Sequence, residues 1–183
     1  MSLCIVRGSA AMKFLSTRPT MIVTTLHESG VVNAGVFGSW TNLSASQIGA
    51  AVSTGSDTYA NVLRSGEFTV SIPGADIVSS LATLASDIPP EVSELDEAGL
   101  TAAEPLEISV PGVAESAAAV EFRFQREVEI GSHSFLIGEA LAGWAKQDLL
   151  DESGRLDLWK AKVLRSFKYP EPLYHLAGAV VRG

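Results

Sequence analysis

The amino-acid sequence predicts a mainly β protein, an antiparallel barrel of six or more strands with short helices appended. Three observations carry that reading. Short runs rich in β-branched residues, such as Met21 to Thr25 and Ile48 to Val52, recur between turn signals. Ala119 to Ile130 alternates for part of its length, with Val120, Phe122 and Phe124 against Glu121, Arg123 and Gln125, as a half-buried strand does. No repeated strand–helix unit is present, which removes the parallel-sheet architectures.

The elements follow in order. Residues 1–19 carry no clear assignment, although Met12 to Leu15 has the composition of a short strand or turn, and Arg18-Pro19 punctuates the entry to the first strand. Met21 to Thr25 and Val31 to Phe37 flank the polar turn His27-Glu28-Ser29-Gly30 and form a hairpin. Ile48 to Val52 is a third strand. The small-residue turn Ser53 to Thr58 then leads into a helix from about Tyr59 to Ser65, capped by Asp57 or Thr58 and ended by Gly66. Glu67 to Ile72 is a strand stopped by Pro73-Gly74. Asp76 is placed to cap a helix over Ile77 to Ala85, where Ile77, Leu81 and Leu84 recur at helical spacing. Val92 to Gly99 reads as a short acidic helix and Leu106 to Val110 as a short strand. Gly131-Ser132 turns Ala119–Ile130 into a long partner, Phe135 to Ala145. Leu149 to Gly154 is a polar loop, Trp159 to Leu164 a further strand, and Leu173 to Val181 a closing strand.

Composition narrows the function classes. The chain has 183 residues, 46% of them hydrophobic, enough for a core in one domain over residues 1–183. A net charge of −8 argues against nucleic acid or an anionic membrane as the main partner. The single cysteine, Cys4, rules out an internal disulfide and, with no long apolar run or signal peptide, favours a cytoplasmic protein. His27, His133 and His175 are far apart with no ligand spacing, so no metal site is expected. There is no G-x-S-x-G elbow and no G-x-G-x-x-G fingerprint, and no side chain is assigned a catalytic role.

What remains is the stretch from Val31 to Asn61, where a loop rich in hydroxyls and amides lies between two strands and the second strand delivers the chain to a helix start. The first turn of a helix has unsatisfied N–H groups and a positive dipole end, and so holds a phosphate without a lysine. Several residues there have two readings. Trp40 is either core or an aromatic ligand surface. Asn61 is either a helix-surface residue or a ligand. Outside this stretch, His175 either meets a ligand or satisfies a backbone carbonyl.

The run Gly30-Val31-Val32-Asn33-Ala34-Gly35-Val36-Phe37-Gly38-Ser39-Trp40 resembles the N-A-x-x-x-S-W/F segment of the flavin reductase-like, FMN-binding split-barrel family. The run Asp57 to Ile72 is similar to that family's D-T-x-x-N-I-x-x-x-x-E-F-V-V-N. The long hairpin after Ala119 and the segment Tyr174 to Gly178 also fall where the family has them. The resemblance implies a six-stranded antiparallel split barrel that forms a homodimer, with FMN (or FAD in its place) at the interface and NAD(P)H as electron donor. It implies that Asn33, Ala34, Gly35, Ser39, Trp40, Thr41 and Asn42 surround the ring, with His175 at its edge, and that Ser53, Thr54, Thr58 and Asn61 surround the phosphate. Ser56 stands where many members have a basic residue. The expected activity is NAD(P)H-dependent flavin reduction, serving a monooxygenase or redox-protein partner. The alternatives are an FMN-binding electron carrier and a ligand-binding barrel that has lost flavin. On this reading Thr58→Val weakens FMN binding with little effect on folding.

Overall fold

In a computed structural model the described residues are 5–7, 18–167, 173–176 and 178. The reading of Met12 to Leu15 lies outside them, as does most of the closing strand beyond Leu176. Among the described residues no helix is long and apolar enough to cross a membrane.

The strands run in chain order as β1 (Arg18–Pro19), β2 (Met21–Leu26), β3 (Val32–Phe37), β4 (Trp40–Asn42), β5 (Gln47–Ser53), β6 (Glu67–Ile72), β7 (Ala102–Ala103), β8 (Gly112–Val113), β9 (Ala118–Ile130), β10 (His133–Ala145), β11 (Leu164–Phe167) and β12 (Leu173–Leu176). The helices are α1 (Asp57–Ser65), α2 (Ser80–Leu84) and α3 (Glu94–Glu97). The main sheet has the order β3-β2-β6-β9-β10-β5-β4, every pair antiparallel. Its first six members are the six main strands expected from sequence, and β4, which sequence reasoning left inside a loop, adds a short seventh.

Why this sheet curls follows from its connectivity. The two edge strands, β3 and β4, are consecutive in the chain and separated only by Gly38 and Ser39. Phe37 and Trp40 therefore lie within about 11 Å, three steps of extended chain. The edges of a seven-stranded sheet can meet so closely only if it bends round on itself. They approach without pairing, which leaves a split in the barrel wall. Ser39 ties the link to β5 on one side of that split, its Oγ donating to the Ala51 carbonyl at 2.8 Å.

Strand alternation assigns each face. Val23, Ile48, Ala50, Val52, Phe68, Val70, Phe122 and Leu136 point inward and form one core with Trp40 and Val62 of α1. Ile22 and Ala34 point outward and meet Ile77, Leu81, Leu84, Leu95 and Leu164 in a second core beneath α2 and α3. β1, β11 and β12 form a separate three-stranded sheet. Its inward row includes Leu164, which is buried, and Tyr174.

Three expectations are corrected here. Leu106 to Val110 is not a strand. It runs as a bent strap over the outer face of β2, β6 and β9, held by side chains in place of a strand ladder. The buried Glu121 carboxylate accepts the Leu106 and Glu107 N–H groups at 2.6 and 2.8 Å, Thr69 Oγ1 donates to the Val110 carbonyl at 2.8 Å, and Thr24 Oγ1 donates to the Pro111 carbonyl at 2.5 Å. Trp159 to Leu164 is a set of turns, with Lys162 in the left-handed region at φ 46, and the strand begins only at Leu164. The helix expected over Ile77 to Ala85 is split into a 3-10 turn, Ala75–Ile77, and α2. Asp76 caps neither piece, and its carboxylate pairs with Lys162 at 3.1 Å. The apolar residues Ile77, Leu81 and Leu84 are nevertheless buried, as their spacing predicts.

Candidate functional site

The residues singled out between Val31 and Asn61 come together where β3, the β3–β4 link and the start of α1 meet. Alternation along β3 turns Asn33 and Gly35 to the inner side and Ala34 to the outer. Asn33 Nδ2 donates to Thr25 Oγ1 at 3.0 Å and to Thr58 Oγ1 at 3.1 Å. Asn61 Nδ2 donates to the same Thr25 Oγ1 at 3.1 Å and approaches His27 Nδ1 at 3.5 Å. Asn33, Thr58 and Asn61 are 3, 5 and 5% exposed, so they form a buried polar cluster with Thr25. That cluster clamps the first two turns of α1 against β2 and β3. Thr58 therefore stabilises the fold, and the expectation that Thr58→Val leaves folding almost untouched is corrected: the change removes an acceptor from a buried amide.

The helix start is built differently from the sequence reading. Ser56, not Asp57 or Thr58, is the N-cap: its hydroxyl accepts the Tyr59 N–H at 3.3 Å and donates to the Ser53 carbonyl at 2.8 Å. Thr54 N–H and Oγ1 both donate to the Ser132 carbonyl, at 3.1 and 3.2 Å, which pins the turn to the β9–β10 hairpin. Ser53 Oγ accepts the Gly55 N–H at 3.4 Å. The N–H groups of Asp57 and Thr58 have no acceptor among the described residues, as the opening turn of a helix leaves them. Arg64 lies at the other end of α1, donating to the Leu26 carbonyl, and Gly66 ends the helix at φ 73.

Two residues are placed otherwise than an aromatic or side-chain ligand needs. Trp40 is 7% exposed and turned into the barrel, edge-on to Phe37 at 6.5 Å and tilted on Phe68 at 5.7 Å, with its indole N–H lacking a partner. At that burial, within the cluster of Val23, Val52 and Phe68, it packs as core. Ala34 is fully buried against the second core, and only its backbone faces the sheet edge.

Ser39, Thr41 and Asn42 are exposed, with Thr41 opposite Gly49 and Asn42 opposite Ile48 along β5. Ser39 bonds to Ala51, two residues before Ser53, so the ring-side link and the helix-side turn are about 7 Å apart along one strand. Gly35 brings the backbone near Thr58: a Cβ there would lie 3.7 Å from Thr58 Oγ1 and 2.9 Å from the Phe37 ring. Gly38 packs on Arg18, where a Cβ would come within 3.3 Å of that side chain. His175 is exposed on β12, in a row with Arg165 and Pro19 and on the opposite face from Tyr174. Its sheet-mate β1 touches the Gly38 link through Arg18.

One participant was missed by sequence reasoning. Glu94, the first residue of α3, accepts the N–H of Ala34 at the free edge of β3. Burial pushes its carboxyl up from the usual range, more than the Ala34 N–H pulls it down, and the negative charge of Asp57 adds to the rise. No local pattern marks Glu94, which sits in an acidic run that reads as a solvated face.

Similarity to known proteins agrees with the geometry. An uncharacterised protein of Halalkalibacterium halodurans, BH2278, is 33% identical over 150 residues, covering 75% of this chain and 72% of its own. Two further curated bacterial proteins match over 42 and 57% of their length, so the chain spans about half of each. Among solved structures, nitrilotriacetate monooxygenase component B from Bacillus cereus superposes with a TM-score of 0.88 at 25% identity, covering 100% of this chain and 98% of that one. Flavoredoxin of Desulfovibrio vulgaris (Miyazaki F) gives 0.87 at 18% identity, covering 100 and 97%, and shows the shared split-barrel fold. Residues 13–180 match the flavin reductase like domain, and the chain belongs to that family.

Proposed function

We propose that the protein binds a flavin mononucleotide at the junction of β3, the Gly38-Ser39 link and the first turn of α1, and reduces it with a nicotinamide donor. The observation that carries this reading is the junction itself. The buried hydrogen bond from Asn33 to Thr58 fastens the ring-side strand directly to the anion-side helix start.

The donor set fits the group. Open N–H groups of Asp57 and Thr58 at a nine-residue helix start suit a phosphate, and exposed Ser39, Thr41 and Asn42 offer polar contacts to a ring edge. The buried cluster of Thr25, Asn33, Thr58 and Asn61 fixes the helix start through hydrogen bonds made within itself. A bound flavin would supply the hydride-transfer chemistry with a nicotinamide, and the residues of the junction would supply its orientation and hydrogen bonds.

Homodimerisation belongs to the same reading. The outer face of β5, β10 and β9 bears Phe135 over Gly49, with Val128 and Ile130 51 and 60% exposed beside it. An apolar stripe of this kind is suited to a second copy.

Mixing the purified protein with NADH or NADPH and excess FMN tests the activity. Sustained nicotinamide oxidation over many turnovers supports a reductase. Reduction of bound flavin only by a separate reduced protein supports the electron-carrier reading, which the likeness to flavoredoxin favours.

A further inference from the structure

We infer that Glu94 sets how tightly, and at which pH, an anionic flavin tail is held at this junction, its ionised carboxylate disfavouring FMN relative to riboflavin. The inference rests on the flavin reading above and adds to it the residue that controls discrimination.

Its basis is geometric. Ala34 has its N–H turned away from β2, at an edge with no strand partner, and the acceptor there is the half-buried Glu94 carboxylate. That places an acidic oxygen on the backbone of the same strand that supplies Asn33 and Gly35. Thr58 of α1 touches Asn33, and Asp57 beside it is near enough to act on Glu94 electrostatically. An anion at the α1 start is thus met by two carboxylates. Among the described residues Asp57 on α1 acts on Glu94 through its charge, Asp96 and Glu97 follow it on its own helix, and β3 and α2 contribute no titratable residue. From Ser65 to Phe122 the chain holds no lysine or arginine, so the strand, strap and helices of this layer offer Glu94 no counter-charge. Arg64 is bonded to the Leu26 carbonyl at the far end of α1.

The linkage follows. A phosphate at the helix start favours the protonated form of Glu94, so binding FMN takes up a proton and its affinity rises as pH falls through the Glu94 titration. Riboflavin has no phosphate and lacks that dependence. At neutral pH the carboxylate weakens FMN retention, and flavin exchanges as a substrate in place of staying fixed.

Glu94→Gln tests this, because the amide oxygen still accepts the Ala34 N–H while the charge is gone. Titration of wild type and variant with FMN and with riboflavin, followed by flavin fluorescence, is read at about pH 8 and about pH 5. At the higher pH the variant should bind FMN about tenfold more tightly, the effect of one pKa unit of coupling, with riboflavin unchanged. Wild-type FMN affinity should rise toward the lower pH and that of the variant should not. Glu94→Asp, which keeps the charge but shortens the reach to Ala34, should retain the weak, pH-dependent binding of the wild type. Equal FMN affinities and equal pH slopes for wild type and Gln variant overturn the inference. So does tighter binding by the Asp and Gln variants alike, which makes Glu94 an obstruction and not a charge. If neither flavin binds wild type or variant at either pH, the flavin reading fails and takes this inference with it.

Discussion

Replacing Gly138 with alanine tests the packing at the centre of the barrel. Gly138 lies on β10 where its register with β9 shifts, between Ile137 and Gly138. A Cβ built there meets Phe68 Cζ at 2.4 Å, Phe68 Cε1 at 2.8 Å and Phe122 Cβ at 3.3 Å. Phe68 cannot swing aside: it is 1% exposed, stacked on Phe122 at 5.2 Å and tilted against Trp40 at 5.7 Å. Overpacking of this kind costs about 2–3 kcal/mol. The lower backbone entropy of the unfolded alanine chain returns about 0.5–1 kcal/mol. The balance, about 2 kcal/mol, lowers Tm by about 4–8 °C for a chain of this length. Thermal unfolding followed by circular dichroism, with a urea titration to check that the slope is unchanged, reads the effect. Pairing with Phe68→Leu should make the glycine change cost less than it does alone, since the two sites share one clash. A Gly138→Ala protein as stable as wild type, or more stable, refutes the assignment of Phe68 to the barrel interior.

Three further outcomes follow from the same contacts. Thr58→Val should lower stability by about 1–2 kcal/mol by depriving the Asn33 amide of one acceptor, and chemical denaturation measures it. Glu121→Gln should cost about 2–3 kcal/mol by weakening the charged acceptor of the Leu106 and Glu107 N–H groups, with faster amide exchange at Leu106 and Glu107 than elsewhere. Burial alone would raise the Glu115 carboxyl, but hydrogen bonds from Thr101 and the nearby Lys146 charge outweigh it and hold it below the usual range. The stability Glu115 contributes is therefore present above the unfolded carboxyl range and lost as pH falls through its folded value. Glu115→Gln should narrow the gap in Tm between neutral and acid solution.

Where the sequence was legible, the signal was local and periodic. β2, β5, β6 and β9 announce themselves by β-branched residues and alternation, and Gly66 marks the end of α1 because the left-handed cap there favours glycine. The strap at Leu106 to Val110 misled because Ile108 and Val110 are buried as alternate residues of a strand would be, while its backbone bonds go to Glu121, Glu67 and Thr69, remote in sequence. Ser56 was passed over as a cap because Asp57 and Thr58 beside it are equally good cap residues, and only the backbone turn from Ser53 decides among them. At the junction, sequence singled out Asn33, Thr58 and Asn61 for one site, and the structure joins them, but their burial was not legible. That depends on Thr25 from another strand completing the cluster. Glu94 was invisible for the same reason, since its partner lies 60 residues away.

The central claim is that the meeting of β3 with the first turn of α1 is a flavin site. Titrating the purified protein with FMN and following quenching of flavin fluorescence tests it most directly. The account predicts a saturable response with equal stoichiometry of flavin and chain, weakened when Thr58→Val loosens the helix start. A response that grows linearly without saturation, the same in wild type and variant, contradicts it.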